Sequence, residues 1–139
     1  MKISYGITVC NELKEIKTLL PLLIEHKRVE DEIIVLYDEK NGKQEVLDYL
    51  LPFNKLPNVQ TWRGMVFVND FAIWKNKLNG YCSGDYIFQL DADELITKEL
   101  IQGAKTYSLM PEDDGYCIIH EKTIERQERQ NNLYSKITK

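Results

Sequence analysis

Two carboxylates one residue apart, Asp91 and Asp93, follow directly on an apolar run and are themselves followed by Glu94. In extended backbone, residues two apart point to the same side, about 6.6 Å apart along the strand, so the pair is able to share one cation or hold it through a water. Hard oxygen ligands of this kind suit Mg²⁺ or Mn²⁺, which take a few carboxylates together with the phosphate oxygens of a substrate. The same residues also fit a plainer role, with Asp93 capping the next helix and Glu94 favoured by that helix's dipole. An Asp-x-Asp triplet arises readily by chance in an acidic chain, so the triplet alone does not choose between the two.

The neighbouring elements must therefore be placed. Ile3, Tyr5, Ile7 and Val9 alternate with smaller or polar residues, the period of a strand. Ile16, Leu20, Leu23 and Ile24 recur at helical spacing, but Pro21 deep in a helix would remove a hydrogen bond. A regular helix beginning near Thr18, with residues 11–17 as a loop, puts that proline in the first turn. Residues 32–37 form a nearly continuous apolar run, as in a strand buried on both faces of a parallel sheet, and Asp38 to Gly42 close it with turn chemistry. Val46, Leu47, Leu50 and Leu51 predict a helix that Pro52 helps to end, and residues 57–62 a weaker strand. A helix over 69–81 precedes a second buried strand over 85–90 that runs into Asp91. A helix over 95–109, a turn over 111–115 and a last strand over 116–120 complete the pattern, and residues 121–139 form a polar tail or helix.

Alternating strands and helices predict an α/β sandwich around a mostly parallel central sheet. Such sheets bind ligands beyond the carboxyl ends of their strands. Three loops qualify: Cys10-Asn11-Glu12, Asp38 to Gly42, and Asp91 to Glu94.

Composition narrows the chemistry. The chain has 139 residues, 43% hydrophobic and 29% charged, the size and make-up of one globular domain. A net charge of −4 argues against a nucleic-acid partner. No apolar run approaches the ~20 residues of a membrane helix, and a soluble, cytoplasmic protein is expected. Cys10, Cys82 and Cys117 form no close pair, which suits a reducing compartment, and His26 and His120 lack zinc-type spacing.

The segment from Phe71 through Trp74, Lys75 and Asn76, then Ser83-Gly84-Asp85-Tyr86-Ile87-Phe88-Gln89-Leu90-Asp91-Ala92-Asp93-Glu94, resembles the signature of family-two glycosyltransferases of the GT-A fold. That signature is an Asn-bearing helix, Gly-Asp-Tyr/Trp, an apolar strand and Asp-x-Asp-Glu. Ile7 to Glu12 resembles the family's first strand and Asn-Glu loop, and Glu32 to Val35 its second strand; the blocks match in order over about residues 3–100.

The resemblance implies a GT-A (nucleotide-diphospho-sugar transferase) Rossmann-like sandwich in minimal form over residues 1–120. It further implies a nucleotide-diphosphate sugar donor and a divalent ion, Mn²⁺ or Mg²⁺, held by Asp91 and Asp93. Asn11 and Glu12 match the first donor-binding loop, Asp38 the acidic position after the second strand, and Lys75 and Asn76 the helix, while Arg63 lies where a basic group meets phosphate in such a site. After the second strand many relatives carry two acidic residues or Asp-Ser-Gly, whereas this chain reads Tyr37-Asp38-Glu39-Lys40-Asn41-Gly42.

The implied reaction is attack by an acceptor hydroxyl, on a glycan, lipid or protein, at the anomeric carbon, with a downstream carboxylate taking the proton in inverting relatives. The carboxylate that takes that role is not identified: Asp113, Asp114 and Glu121 are the candidates left, they match no family motif, and a turn or surface position accounts for each of them better. About 46 residues follow Asp93. So short a remainder leaves little room for an acceptor-binding half, and a partner subunit or homo-oligomer is one way to supply it. The competing expectation is an inactive GT-A-like binding or structural module of a larger assembly. A nucleotidyltransferase would need a Gly-rich, basic phosphate loop after the first strand, and Cys10-Asn11-Glu12 is neither.

Overall fold

In a computed structural model, which describes residues 2–65, 71–94, 96–103 and 119–121, the elements run in the order β1 (Ile3–Val9), α1 (Leu13–His26), β2 (Glu32–Asp38), α2 (Gln44–Leu50), a 3₁₀ helix (Leu51–Lys55), β3 (Val59–Gly64), α3 (Phe71–Tyr81), β4 (Tyr86–Asp91), α4 (Lys98–Gln102) and β5 (Ile119–Glu121). They build one five-stranded sheet in the order β3-β2-β1-β4-β5. The β1–β2, β2–β3 and β1–β4 pairs are parallel and β4–β5 is antiparallel.

Side chains alternate across the strands, and each face finds its own cover. One face carries Ile3, Tyr5, Ile7, Ile33, Val35, Phe88 and Leu90, packed under Ile16, Leu20 and Leu23 of α1 and Val46 and Leu50 of α2. The opposite face carries Ile34, Leu36 and Ile87 under Trp74, Leu78 and Cys82 of α3. The buried apolar runs of β1, β2 and β4 are thus central strands covered on both sides, as their composition predicts.

Helix α1 begins at Leu13, not near Thr18, and runs through Pro21. Ile16 explains the earlier start. It is fully buried, and only a helix that already includes it aligns Ile16 with Leu20 and Leu23 on the sheet. Burying such a side chain is worth about 1.5–3 kcal/mol, comparable with the roughly 3 kcal/mol that an internal proline costs. Pro21 and Lys17 are both exposed, so the carbonyl that loses its partner has water within reach.

Other boundaries move for local reasons. Strand β3 lies two residues later than the sequence suggests, because Asn58 adopts a left-handed φ of 61° and its carbonyl accepts from Ile33 N at 2.8 Å before the ladder starts. Where a helix over 95–109 is expected, α4 spans only Lys98–Gln102, with Thr97 as its cap and Gly103 after it. Of the last strand expected over 116–120, Ile119 and His120 lie in β5 (Ile119–Glu121), and residues 116–118 lie outside the described residues. The expected turn at 111–115, the expected helix beyond Gly103 and the tail from residue 122 lie outside the described residues.

Candidate donor-binding site

The carboxyl ends of β1, β2 and β4 lie side by side, with Thr8 opposite Asp91 in the β1–β4 register. Alternation puts Thr8, Asp38 and Asp91 on the face covered by α3. The Thr8 hydroxyl donates to Asp91 Oδ1 at 2.8 Å. Lys75, one residue after buried Trp74 on α3, reaches the same place: its ammonium donates to Asp91 Oδ1 and, at 3.2 Å, to Thr8 Oγ1. The Lys75 side chain is only 14% exposed and that of Asp91 53%. Burial pushes the Asp91 carboxyl up, but the Lys75 hydrogen bond and charge and the Thr8 hydroxyl outweigh it and hold the group below its ordinary value.

Beyond Asp91 the chain does not stay extended. Glu94 N donates to the Asp91 carbonyl at 2.9 Å, Asp91 N donates to Glu94 Oε1 at 3.0 Å, and Ala92 N donates to the Thr8 carbonyl at 3.1 Å. Asp91 therefore ends the strand while Asp93 sits within a tight turn, so the two do not point from one strand, which corrects the same-side geometry of an extended triplet. Asp93 is exposed and makes no hydrogen bond or ion pair among the described residues. It is not a helix cap either, since Thr97 Oγ1 accepts from Leu100 N at 3.2 Å and caps α4. Burial, followed by the charge of Asp91, raises the Glu94 carboxyl above its usual range despite the backbone hydrogen bond.

The first loop turns inward on itself: Cys10 N donates to Glu12 Oε2 at 2.7 Å, while Asn11 is exposed. The Cys10 thiol lies 3.9 Å from Asp38 Oδ2, and burial together with the charges of Asp38 and Glu12 raises it above a free thiol. Asp38, 6% exposed, is committed to its own turn, accepting from Lys40 N at 2.9 Å, Asn41 N at 3.3 Å and Asn41 Nδ2 at 2.9 Å. A short local turn takes the place of the acidic pair or Asp-Ser-Gly of the resembled family.

Arg63, near the end of edge strand β3, pairs with Glu39 at 3.6 Å and is half exposed. Three strand spacings, about 14 Å, separate its strand from β4, so it is not gathered with Asp91. Asn76 is exposed on α3 beside Lys75. Glu121 pairs with Tyr86 at the amino end of β4, five residues and about 17 Å of strand from Asp91. Asp113 and Asp114 lie outside the described residues.

Two features have little or no sequence signature. Lys75 and Thr8 contact Asp91 across 16 and 83 residues of chain, and only the match of Lys75 to a family helix hints at either. At the opposite end of the sheet, Glu32 accepts from Ser4 Oγ at 2.6 Å, Ser83 N at 2.6 Å and Ser83 Oγ at 2.7 Å, with Lys2 at 3.0 Å. Asp85 Oδ2 accepts from Lys2 N at 2.9 Å. The Ser83-Gly84-Asp85 block thus anchors the start of β4 and takes no part in the site.

On the α1 side of the Asp93 turn lies a cavity of about 200 Å³ bordered by Lys14, Thr18, Leu22, Asp93, Glu94 and Ile96. Among the described residues no group of three or more His, Cys, Asp or Glu side chains is gathered to hold a metal. A cation carried by a diphosphate needs less than that, typically one or two carboxylates with the remaining positions filled by phosphate oxygens and water. Asp91 and Asp93 fit that donor set. Among the described residues no helix is long and apolar enough to cross a membrane.

The chain matches no protein-family profile, and no curated protein matches it in sequence. Solved structures do match. Crystal structures of S. aureus TarS residues 1–349, one of them in complex with UDP-GlcNAc, share the fold with a TM-score of 0.65 at 21% identity over 77% of this chain. Mannosyltransferase PcManGT from Pyrobaculum calidifontis, in complex with GDP-Man and Mn²⁺, matches with a TM-score of 0.64 at 16% identity over 78% of this chain. The chain spans about a third of these solved chains, 31–32%. Its fold is therefore that of GT-A glycosyltransferases, an α/β sandwich on a mostly parallel sheet.

Proposed function

We propose that this chain belongs with the family-two glycosyltransferases and binds a nucleoside-diphosphate sugar at the carboxyl ends of β1, β2 and β4, for transfer to a hydroxyl of a glycan, lipid or protein. The observation that carries the reading is the Asp91-Ala92-Asp93 turn at the end of β4, with Asp93 unpartnered among the described residues and Lys75 at its side. The complexes of TarS with UDP-GlcNAc and of PcManGT with GDP-Man and Mn²⁺ support it by analogy of fold.

The electrostatics support a cation beside a bound diphosphate. Asp91, Asp93 and Glu94 would repel a diphosphate unless positive charge accompanied it. Asp91 and Asp93 would hold Mn²⁺ or Mg²⁺, which when bound offsets the charge developing on the departing nucleoside diphosphate. Lys75 supplies a cation from the protein itself. Asn11 and Glu12, on the first loop, and Asp38, whose turn shapes the edge of the site, border the space for ribose and base, and Asn76 stands on the α3 rim. The free thiols of Cys10 and Cys82 suit the cytoplasm, where we place the protein.

Calorimetric titration of UDP, GDP and their sugar conjugates, with and without Mn²⁺, tests the proposal on the wild type and on the Asp91→Ala/Asp93→Ala double variant. Metal-dependent binding that the double variant loses is the expected result. Failure of every nucleotide to bind would sink the reading, and sugar release or transfer assays separate an enzyme from a binding module.

A further inference from the structure

We propose that Lys75 is a built-in counter-cation for Asp91, one that keeps this carboxylate from a divalent ion until a diphosphate arrives to take the ammonium, so that ion and nucleotide enter the site together. The inference rests on reading the site as one for a nucleoside diphosphate, and it adds an order of assembly and a role for a residue outside the Asp-x-Asp turn.

Three observations lead to it. Lys75 and Thr8 both bond to Oδ1 of Asp91, so one oxygen of this carboxylate is already engaged. The lysine is held there by its helix: Trp74 and Leu78, on either side of it in sequence, are buried against the sheet, and the Lys75 side chain is itself largely buried. Asp93, the other carboxylate of the turn, has no partner among the described residues. A divalent ion reaching the protein alone would thus meet one open carboxylate and a second one neutralised by a nearby ammonium that repels it. A diphosphate changes both conditions. Its oxygens offer the ammonium a stronger anion than a single carboxylate, and they complete the coordination of an ion that a carboxylate pair holds only weakly.

Ion and diphosphate then raise each other's affinity by the same factor, while Lys75 acts on each alone with opposite sign, repelling the cation and attracting the anion. Neutralising the lysine should therefore move two affinities in opposite directions, which loss of a merely structural ion pair would not do. Titration of Mn²⁺ alone, and of UDP and GDP in the presence of EDTA, into the wild type, Lys75→Met and Lys75→Arg measures both. Lys75→Met is expected to bind Mn²⁺ alone about tenfold more tightly than the wild type and the nucleotides in EDTA about tenfold more weakly, with Lys75→Arg close to the wild type in each. Lys75→Gln is a second neutral variant should methionine disturb the packing, and far-UV circular dichroism identifies the folded variants. Unchanged or weakened Mn²⁺ affinity in the folded neutral variants overturns the role of the lysine, even where nucleotides bind. Absence of any nucleotide binding by the wild type, with or without Mn²⁺, overturns instead the reading of the site.

Discussion

Gly6 of β1 lies directly beneath Leu78 of α3, so close that a Cβ on the glycine would stand 3.1 Å from Leu78 Cδ2 and 3.5 Å from Cys82 Sγ. Helix α3 rests on the sheet at the one central-strand position without a side chain on that face, and this close seating brings Lys75 within reach of Asp91. Gly6→Val inserts volume into a closed contact and should lower stability by about 1–3 kcal/mol. Urea unfolding checks this, and weakened nucleotide binding in the folded protein would show that the height of α3 above the sheet matters to the site.

Glu32 is a buried carboxylate whose donors come from two segments far apart in sequence, Lys2 and Ser4 at the start of β1 and Ser83 before β4. Burial raises its carboxyl, but those hydrogen bonds outweigh burial and hold it below the ordinary value. Because the folded group is the stronger acid, its contribution is complete above the unfolded value of about 4.3 and is lost as pH falls through the lower folded value. Glu32→Gln should cost about 1–3 kcal/mol near neutrality. The gap from the wild type should close in acid, which denaturant midpoints measured between neutral pH and the acid limb will show.

Asp91 and Asp93 differ in what they do for the fold. Asp93→Asn changes an exposed, unpartnered side chain and should alter stability by no more than about 0.5 kcal/mol. Asp91→Asn leaves Lys75 without its counter-charge; as the pair is partly exposed, the loss should be about 1 kcal/mol or less. On the proposed function both should lose Mn²⁺-dependent nucleotide binding, so thermal melts and calorimetry together separate a carboxylate that also supports the fold from one that does not.

Thr97 caps the short helix α4, which delivers buried Ile101 to the sheet and its carbonyl to the Tyr5 hydroxyl at 3.2 Å. Thr97→Ala should cost about 1 kcal/mol, and Thr97→Ser should restore most of it. Chemical denaturation of the two variants tests the difference.

Strands β1, β2 and β4 were legible because a strand covered on both faces must be apolar almost throughout, and few other elements impose that pattern on six or seven residues. The start of α1 was not, since Pro21 is a local signal and the burial of Ile16 that overrides it is a tertiary one. The same division runs through the site. Residue order alone placed Asp91 and Asp93 after a buried strand, where open α/β sheets bind their ligands. Only the tertiary structure decided that Asp93 sits in a turn closed on Asp91, that Asp38 is consumed by its own loop, and that Lys75 and Thr8 close on Asp91. The physical reason is range: periodicity and turn chemistry act over a few residues, whereas parallel register and the seating of α3 bring together groups whose separation along the chain carries no local trace.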